Sequence, residues 1–429
     1  MNMNHEPGFS VISMEDRFIR SWGQKGDTMT VTTADSLADL KLTLTWEKQG
    51  MIHKEVYFAD EANLYRDFFP KSMDGKLLGK AVGDTLSFTF SPGELIPDYS
   101  EKEIHNVFPY QCDMRRIPGK STLPVKGRFY PKGILSGIAG IFSENVTPFR
   151  VLDSDDRRVV ADFNHPLAGL PLSVDVEVLD IRPKRKERGG MCHDWIEHLV
   201  SGPGIQARPG DSPVDFFSGD AFARDDENPD PVFYTRTRMV SHIDETARRN
   251  LAELYGKKIK GGKTVLDLMA SWESHVPDDL LFEGFHGLGM NEDELAANKR
   301  FDSYKVHDLN NDPVVPWPDK TFNAVICSLS VEYLTRPFDV FKEVKRVLKP
   351  GGTFIVTFSN RWFPTKSIRL WSGLHEFERV ALVAEYFLAS GFDRVESLSL
   401  RGYPRPYTDE YFPAMKQSDP IYMVQGYID

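Results

Sequence analysis

Polar and apolar side chains alternate along Thr28-Met29-Thr30-Val31-Thr32 and again along Leu40-Lys41-Leu42-Thr43-Leu44-Thr45-Trp46. This period of two predicts half-buried strands. A Val82-Gly83-Asp84 turn feeds a third alternating run, Thr85-Leu86-Ser87-Phe88-Thr89-Phe90, and Asn164-His165-Pro166-Leu167-Ala168-Gly169 leads into a fourth, Leu172 to Val178. Gly83 suits the positive φ such turns need. After residue 240 the period changes. Ser241-His242-Ile243-Asp244 has the form of a capping box, and Ile243, Ala247, Leu251 and Leu254 then fall on one helical face that ends before Gly261-Gly262. Short apolar runs follow at Thr264–Leu268 and Phe322–Ser328. A helix over Phe338–Leu348 turns Phe338, Phe341, Val344 and Leu348 inward and stops at Lys349-Pro350-Gly351-Gly352. Strands alternating with helices at short intervals predict a mostly parallel sheet covered on both faces.

The pattern divides the chain into a β-rich first part and an α/β second part. A length of 429 residues fits about two to four domains. The expected division is a lead-in at 1–25, a β-rich domain at 26–183, a connector at 184–231 and an α/β domain at 232–429. The connector opens with the basic, glycine-ended run Arg182-Pro183-Lys184-Arg185-Lys186-Glu187-Arg188-Gly189-Gly190. Its later part should wrap the surface or cover the mouth of a site, because long structureless loops are uncommon in compact domains.

Composition narrows the partners. The net charge of -11 disfavours sequence-independent binding to nucleic acid or to anionic membrane. Cys112, Cys192 and Cys327 lie far apart and form no disulfide framework. No stretch carries about 18 consecutive apolar residues, and Met1 to Arg20 lacks the apolar core of a secretory signal. A cytoplasmic location without membrane attachment is the expectation. Cys192 beside His193 does not have metal-ligand spacing, so no metal site is assigned.

The Val-Gly-Asp turn with its strand, and the Asn-His-Pro-Leu-Ala-Gly turn with the next, resemble FKBP-like peptidyl-prolyl isomerases of the SlyD type over about residues 26–183. The resemblance implies a half-barrel interrupted by a chaperone flap at about 127–163 that holds unfolded polypeptide. The family's pocket rings are replaced. Leu95-Ile96-Pro97, with Tyr99 beyond, stands where a Tyr is usual, and Val174 where Phe is usual. Slow isomerisation is therefore expected, with Phe69, Met73, Tyr99 and Phe108 read as core.

Residues 232–400 resemble the class I, type 11, S-adenosylmethionine (SAM) dependent methyltransferases. The ordered series of Thr264-Val265-Leu266-Asp267-Leu268, Asp308, Phe322–Ser328 and Lys349-Pro350-Gly351-Gly352 carries that likeness. It implies SAM as cofactor, lying across the carboxyl ends of the strands. It further implies that Asp267, Met269, Ala270, Ser271, Asn291, Asp308, Leu309 and Ser328 bind it, with Asp308 on the adenine amino group. Two departures stand out. Met269-Ala270-Ser271-Trp272-Glu273 replaces the glycine-rich loop, and Gly289 occupies the place of the ribose-binding acid, so Asn291 or Glu292 would have to reach back. Asn360-Arg361-Trp362-Phe363-Pro364 should overhang the site. His275, Glu332, Tyr333, Arg336 and Arg361 are polar groups near strand ends, and none is assigned as catalytic. Two functions follow. One is methyl transfer to a small-molecule or polypeptide acceptor, with the first half assisting folding or presentation. The other is a chaperone-like binding protein whose α/β half is a scaffold.

Overall fold

The computed structural model describes residues 30–73, 75–117, 122–184, 191–206, 214–217 and 219–429. The expected lead-in at 1–25 and the basic run Arg185–Gly190 lie outside the described residues. In the first half, β1 (Ser36–Lys48) and β2 (Met51–Ala62) form an antiparallel hairpin. Gln49 and Gly50 both take positive φ, of 53° and 74°, as a two-residue hairpin turn requires. β3 (Thr85–Phe90) comes next. A small antiparallel sheet of β4 (Ile104–Val107), β5 (Phe129–Pro131), β6 (Pro148–Ser154) and β7 (Val159–Asp162) follows, in the order β4-β7-β6-β5. This inserted sheet starts at Ile104, ahead of the flap boundary expected at 127. β8 (Leu172–Pro183) then returns to pair with β1 and β3. Its Leu172, Val174, Val176 and Val178 all point inward, as the alternation required.

The expected strand at Thr28–Thr32 does not form over its described part, residues 30–32. The Thr32 backbone and side chain bond instead to Leu77 and Lys80.

The described parts of the connector pack against both halves. Asp194 caps α1 (Trp195–Val200), accepting from Ile196 N and Glu197 N. Trp195, Ile196, Leu199 and Val200 enter the core of the first half with Leu40, Leu42, Ile96 and Val174. Phe216 joins the core of the second half, and the short α2 (Asp230–Tyr234) reaches the cleft described below.

In the second half α3 (Glu245–Lys258) precedes β9 (Thr264–Leu268) and β10 (Gly284–Gly289). Its cap is Asp244, accepting from Thr246 N and Ala247 N, and not Ser241 as the capping-box spacing suggested. Ser418 Oγ and Asp419 N hold Asp244 in place, while the Ser241 hydroxyl donates to Glu273. Then come α4 (Glu292–Ala297), β11 (Ser303–Val306), β12 (Phe322–Ser328), α5 (Pro337–Val347), β13 (Leu348–Phe358), α6 (Arg369–Gly373), α7 (Glu376–Ala389), β14 (Arg394–Arg401) and β15 (Ile421–Tyr427).

One sheet of eleven strands crosses both halves, in the order β11-β10-β9-β12-β13-β15-β14-β2-β1-β8-β3. β11 to β13 run parallel, β15 is antiparallel to both its neighbours, and β14 pairs in parallel with β2 from Glu396↔Ile52 to Arg401↔Tyr57. The sheet as a whole is therefore mixed. At the seam, buried Glu55 pairs with Arg401, and His53 Nδ1 lies 2.7 Å from Ser397 Oγ. The inserted sheet adds a second junction, where Arg128 Nε and Phe129 N both donate to Glu378 Oε1 at 2.7 and 2.9 Å. No helix among the described residues is long and apolar enough to cross a membrane.

Candidate functional site

A cleft of about 630 Å³ opens at the carboxyl ends of β9, β10 and β12. Its walls bring together all eight residues nominated as cofactor-binding: Asp267, Met269, Ala270, Ser271, Asn291, Asp308, Leu309 and Ser328. Parallel strands end on one side of the sheet, so residues far apart in sequence meet there.

In the loop after β9, which replaces glycines, Met269, Ser271, Trp272 and Glu273 engage their side chains and Ala270 its backbone. Met269 takes a positive φ of 57° and packs on the main core. Ala270 N bonds to Leu288 O at 2.7 Å, and its carbonyl comes so close to Gly289 that any Cβ at 289 would collide with it. That contact bars the acid that the family places there. Ser271 Oγ donates to Glu294 Oε2 at 2.6 Å. Trp272 Nε1 donates to Val240 O at 3.4 Å, and Glu273 accepts from Arg248 Nε at 2.8 Å and Ser241 Oγ at 2.9 Å. The loop thus clamps the segment before α3 against the cleft. Asp267 is buried beneath it and pushed up to about 8 by desolvation, with the Ser274 hydroxyl as its hydrogen-bond partner.

Asn291 is not available to reach a ribose. Its Oδ1 accepts from Glu294 N as the cap of α4, and its Nδ2 donates to Tyr234 O at 2.8 Å. Glu292 is not among the residues lining the cleft, whereas Glu294 is. Its Oε1 accepts from Arg238 N at 2.7 Å. The sequence signal at Glu294 was its place three residues after Asn291. That spacing normally sends a Glu back to the cap N–H, but here the carboxylate turns to Ser271. Asp308 Oδ1 accepts from Asn310 N and Asn311 N, at 2.9 and 3.3 Å. Its other oxygen has no protein partner among the described residues. Ser328 Oγ lies 2.6 Å from the hydroxyl of buried Tyr255.

The polar groups singled out near strand ends separate. Arg361 lines the cleft with its Nε on Asp419 Oδ1 at 3.0 Å. Tyr333 also lines it, its hydroxyl accepting from Phe363 N at 2.8 Å. His275 lies in the wall with a φ of 56° and is pushed down to about 4 by burial. Glu332 is buried behind the wall and pushed up to about 7 by the same cause. Arg336 pairs with Asp339 at 2.9 Å and is not among the lining residues.

Sequence reasoning missed the opposite wall. It comes from the stretch before α3, with Tyr234, Arg238 and His242, and from the chain between β14 and β15, with Arg405, Asp409 and Tyr411. Phe363 joins them from the stretch after β13 that was expected to overhang the site. Arg405 bridges Asp409 and Asp419 at 3.1 and 2.5 Å. Of the expected isomerase positions, Met73, Ile96 and Val174 are packed in the core beside α1, and Phe69 packs against it. Tyr99 and Phe108 are exposed and not core.

Residues 286–356 match the family model of the methyltransferase domain. A malonyl-(acyl-carrier protein) O-methyltransferase of Marinomonas sp. (strain MWYL1) is 31% identical over 87 residues, 20% of this chain and 32% of that protein. The chain thus spans about a third of that relative's length. The "Probable FKBP-type 16 kDa peptidyl-prolyl cis-trans isomerase" of Pseudomonas fluorescens is 27% identical over 121 residues, 23% of this chain and 81% of that protein. A solved SAM-dependent methyltransferase from Aquifex aeolicus aligns with 18% identity and a TM-score of 0.30, covering 43% of this chain and 95% of that one. Each half of the chain therefore has its counterpart among known proteins.

Proposed function

We propose that this chain is a SAM-dependent methyltransferase whose cleft lies at the carboxyl ends of β9, β10 and β12, with the FKBP-like half assisting folding or presenting the acceptor. The observation that carries the proposal is the convergence of the eight nominated residues on one cleft. SAM would supply an electrophilic methyl group on a sulfonium, so the protein's task is to align an acceptor beside it.

The residues present fit such a ligand. Asp308 keeps a carboxylate oxygen for an adenine amino group. Backbone approach at Met269 to Ser271 is preserved without glycines, because Met269 holds the positive φ and Gly289 gives the room. Glu294, which lines the cleft beside Ser271, would supply the acid that Gly289 cannot. Glu273, Glu294 and Asp308 together make the cleft favourable to a cationic ligand.

Calorimetric titration with SAM and S-adenosylhomocysteine tests this. A hydrogen bond to a charged acceptor contributes about 1.5–3 kcal/mol. Asp308→Ala should therefore weaken binding roughly tenfold to a hundredfold, since about 1.4 kcal/mol is a factor of ten. Ser271→Trp should abolish it by filling the turn, with circular dichroism unchanged. A wild-type chain that binds neither compound at millimolar concentration favours the scaffold alternative. Unchanged affinity in both variants puts the ligand elsewhere.

A further inference from the structure

The wall facing the loop after β9 is built around the ring of Phe363. Phe233 meets it edge-on, with ring centroids 5.9 Å apart, and Tyr333 lies 6.1 Å away. His242 stands perpendicular to the same ring at 5.3 Å. The Arg238 guanidinium sits over Phe233 at 4.5 Å and 5.8 Å from Phe363. Arg238, His242, Tyr333 and Phe363 all line the cleft.

The polar members of this group have capacity to spare. Arg238 donates to the carbonyls of Phe233 and Arg236, at 3.2 and 3.4 Å, and pairs with no carboxylate among the described residues. A guanidinium that stacks on rings and lacks an anion is placed to receive one. His242 has no hydrogen-bond partner among the described residues. Burial, helped by the Arg238 cation and opposed by Glu294 and Glu273, holds it below the usual imidazole range, so near neutral pH it carries a free nitrogen lone pair. Tyr333 is committed to Phe363 N, which fixes the loop that carries the Phe363 ring.

We propose that this aromatic box is the acceptor subsite, and that it takes a planar aromatic ring bearing an ionisable hydroxyl. Phe363 stacks on the ring, Arg238 receives the developing oxyanion and His242 takes the hydroxyl proton. This rests on the methyltransferase reading. The acceptor's O–H bond breaks and its proton passes to a ring nitrogen of His242. The oxygen's electron pair forms the new O–CH₃ bond as the methyl carbon–sulfur bond breaks, and that bond's electrons stay on sulfur. The products are an aryl methyl ether and S-adenosylhomocysteine. A neutral base beside a fixed cation suits a hydroxyl that ionises only as it reacts.

The test uses 4-nitrophenol as probe, since its phenolate absorbs visible light and its phenol does not. The full chain is titrated with it, with and without S-adenosylhomocysteine, at a pH below the probe's own ionisation. Bound probe should be more ionised than free probe. Arg238→Gln and His242→Asn should each remove that extra ionisation, because one loses the counter-charge and the other the proton acceptor. Phe363→Leu should instead weaken binding roughly two- to tenfold, the range of one aromatic contact. 4-Nitroanisole, which has no proton to give, should bind at least several-fold more weakly.

The proposal is overturned if 4-nitrophenol does not bind, if 4-nitroanisole binds as well, or if bound probe is no more ionised than free probe. Unchanged behaviour in all three variants overturns it too. S-adenosylhomocysteine affinity, measured alone by calorimetry, keeps the two claims apart. If the adenosyl compound binds and the phenol does not, only the acceptor subsite fails. If the phenol binds with the expected ionisation and the adenosyl compound does not, the methyltransferase reading fails.

Discussion

Met269 and Gly289 exchange the parts their positions usually play. Met269 carries a positive φ, an uncommon conformation for a residue with a Cβ, and its side chain offsets the strain by packing on the core. Gly289 leaves out the side chain where the Ala270 carbonyl must pass. Beneath them, burial sets a measurable pH dependence. Asp267 is pushed from 3.8 up to about 8 and Glu332 from 4.5 up to about 7, both chiefly by desolvation. Between its unfolded and folded values each acid holds, in the folded state, a proton that the unfolded state has lost. Stability is thus greatest below the unfolded value and falls as pH rises toward the folded one. His275, pushed down to about 4, acts in the opposite sense between about 4 and 6.5. The window free of that opposition is pH 6.5 to 8. There the melting temperature should fall as pH rises, each acid contributing at most about 1.4 kcal/mol per pH unit. Asp267→Asn, which cannot ionise, should flatten the slope. Scanning calorimetry at several pH values checks this, and a variant as steep as the wild type refutes it.

At the scale of elements the seam between β14 and β2 decides most. Arg401 pairs with Glu55, whose side chain is wholly buried, and donates to His198 O at 2.8 Å. Removing one partner of a buried pair leaves an unpaired charge and costs about 3–5 kcal/mol. Arg401→Met should therefore lower the whole chain's stability by about that much, while the double change Glu55→Gln with Arg401→Met recovers part of it. Equilibrium urea unfolding measures both, and a single-variant loss under about 1 kcal/mol would place the seam in solvent.

The same seam explains what the sequence left hidden. β8, β9, β12 and α5 were legible because their apolar spacing is regular. β2 was not, since His53 and Glu55 face inward and break its alternation. They are buried because Ser397 and Arg401 wait on a strand about 340 residues later, which no local pattern reveals. The site divides in the same way. Ser328 ends the apolar β12 and Asp308 follows the short edge strand β11, so their place at the sheet's end could be read from the order of the strands. Arg238, His242 and Glu294 depend on a segment folding back over the cleft, held there by Trp272 and Glu273. Those two residues had registered only as lost glycines.

For the whole molecule, the question is whether the two halves are separable. The basic run Arg185–Gly190, outside the described residues, reads from composition as the place a protease would cut. Yet α1 lies beyond it, at Trp195–Val200, and packs into the core of the half before it. Burying Trp195, Ile196, Leu199 and Val200 contributes roughly 1.5–3 kcal/mol each. That total is comparable to the entire 5–15 kcal/mol stability of a typical domain. The exchange runs both ways: Met51 of β2 belongs to the core of the second half, and Phe377 of α7 to that of the first. β14 without β2 would also expose a sheet edge prone to aggregation. A chain nicked in that run should therefore stay together, eluting from size exclusion as one particle and unfolding in one calorimetric transition. Residues 26–183 expressed alone should fail to fold cooperatively, and co-expression with 191–429 should restore a soluble complex. Two fragments that elute separately, each with its own sharp unfolding transition, would show that the continuous sheet does not bind the halves into one folding unit.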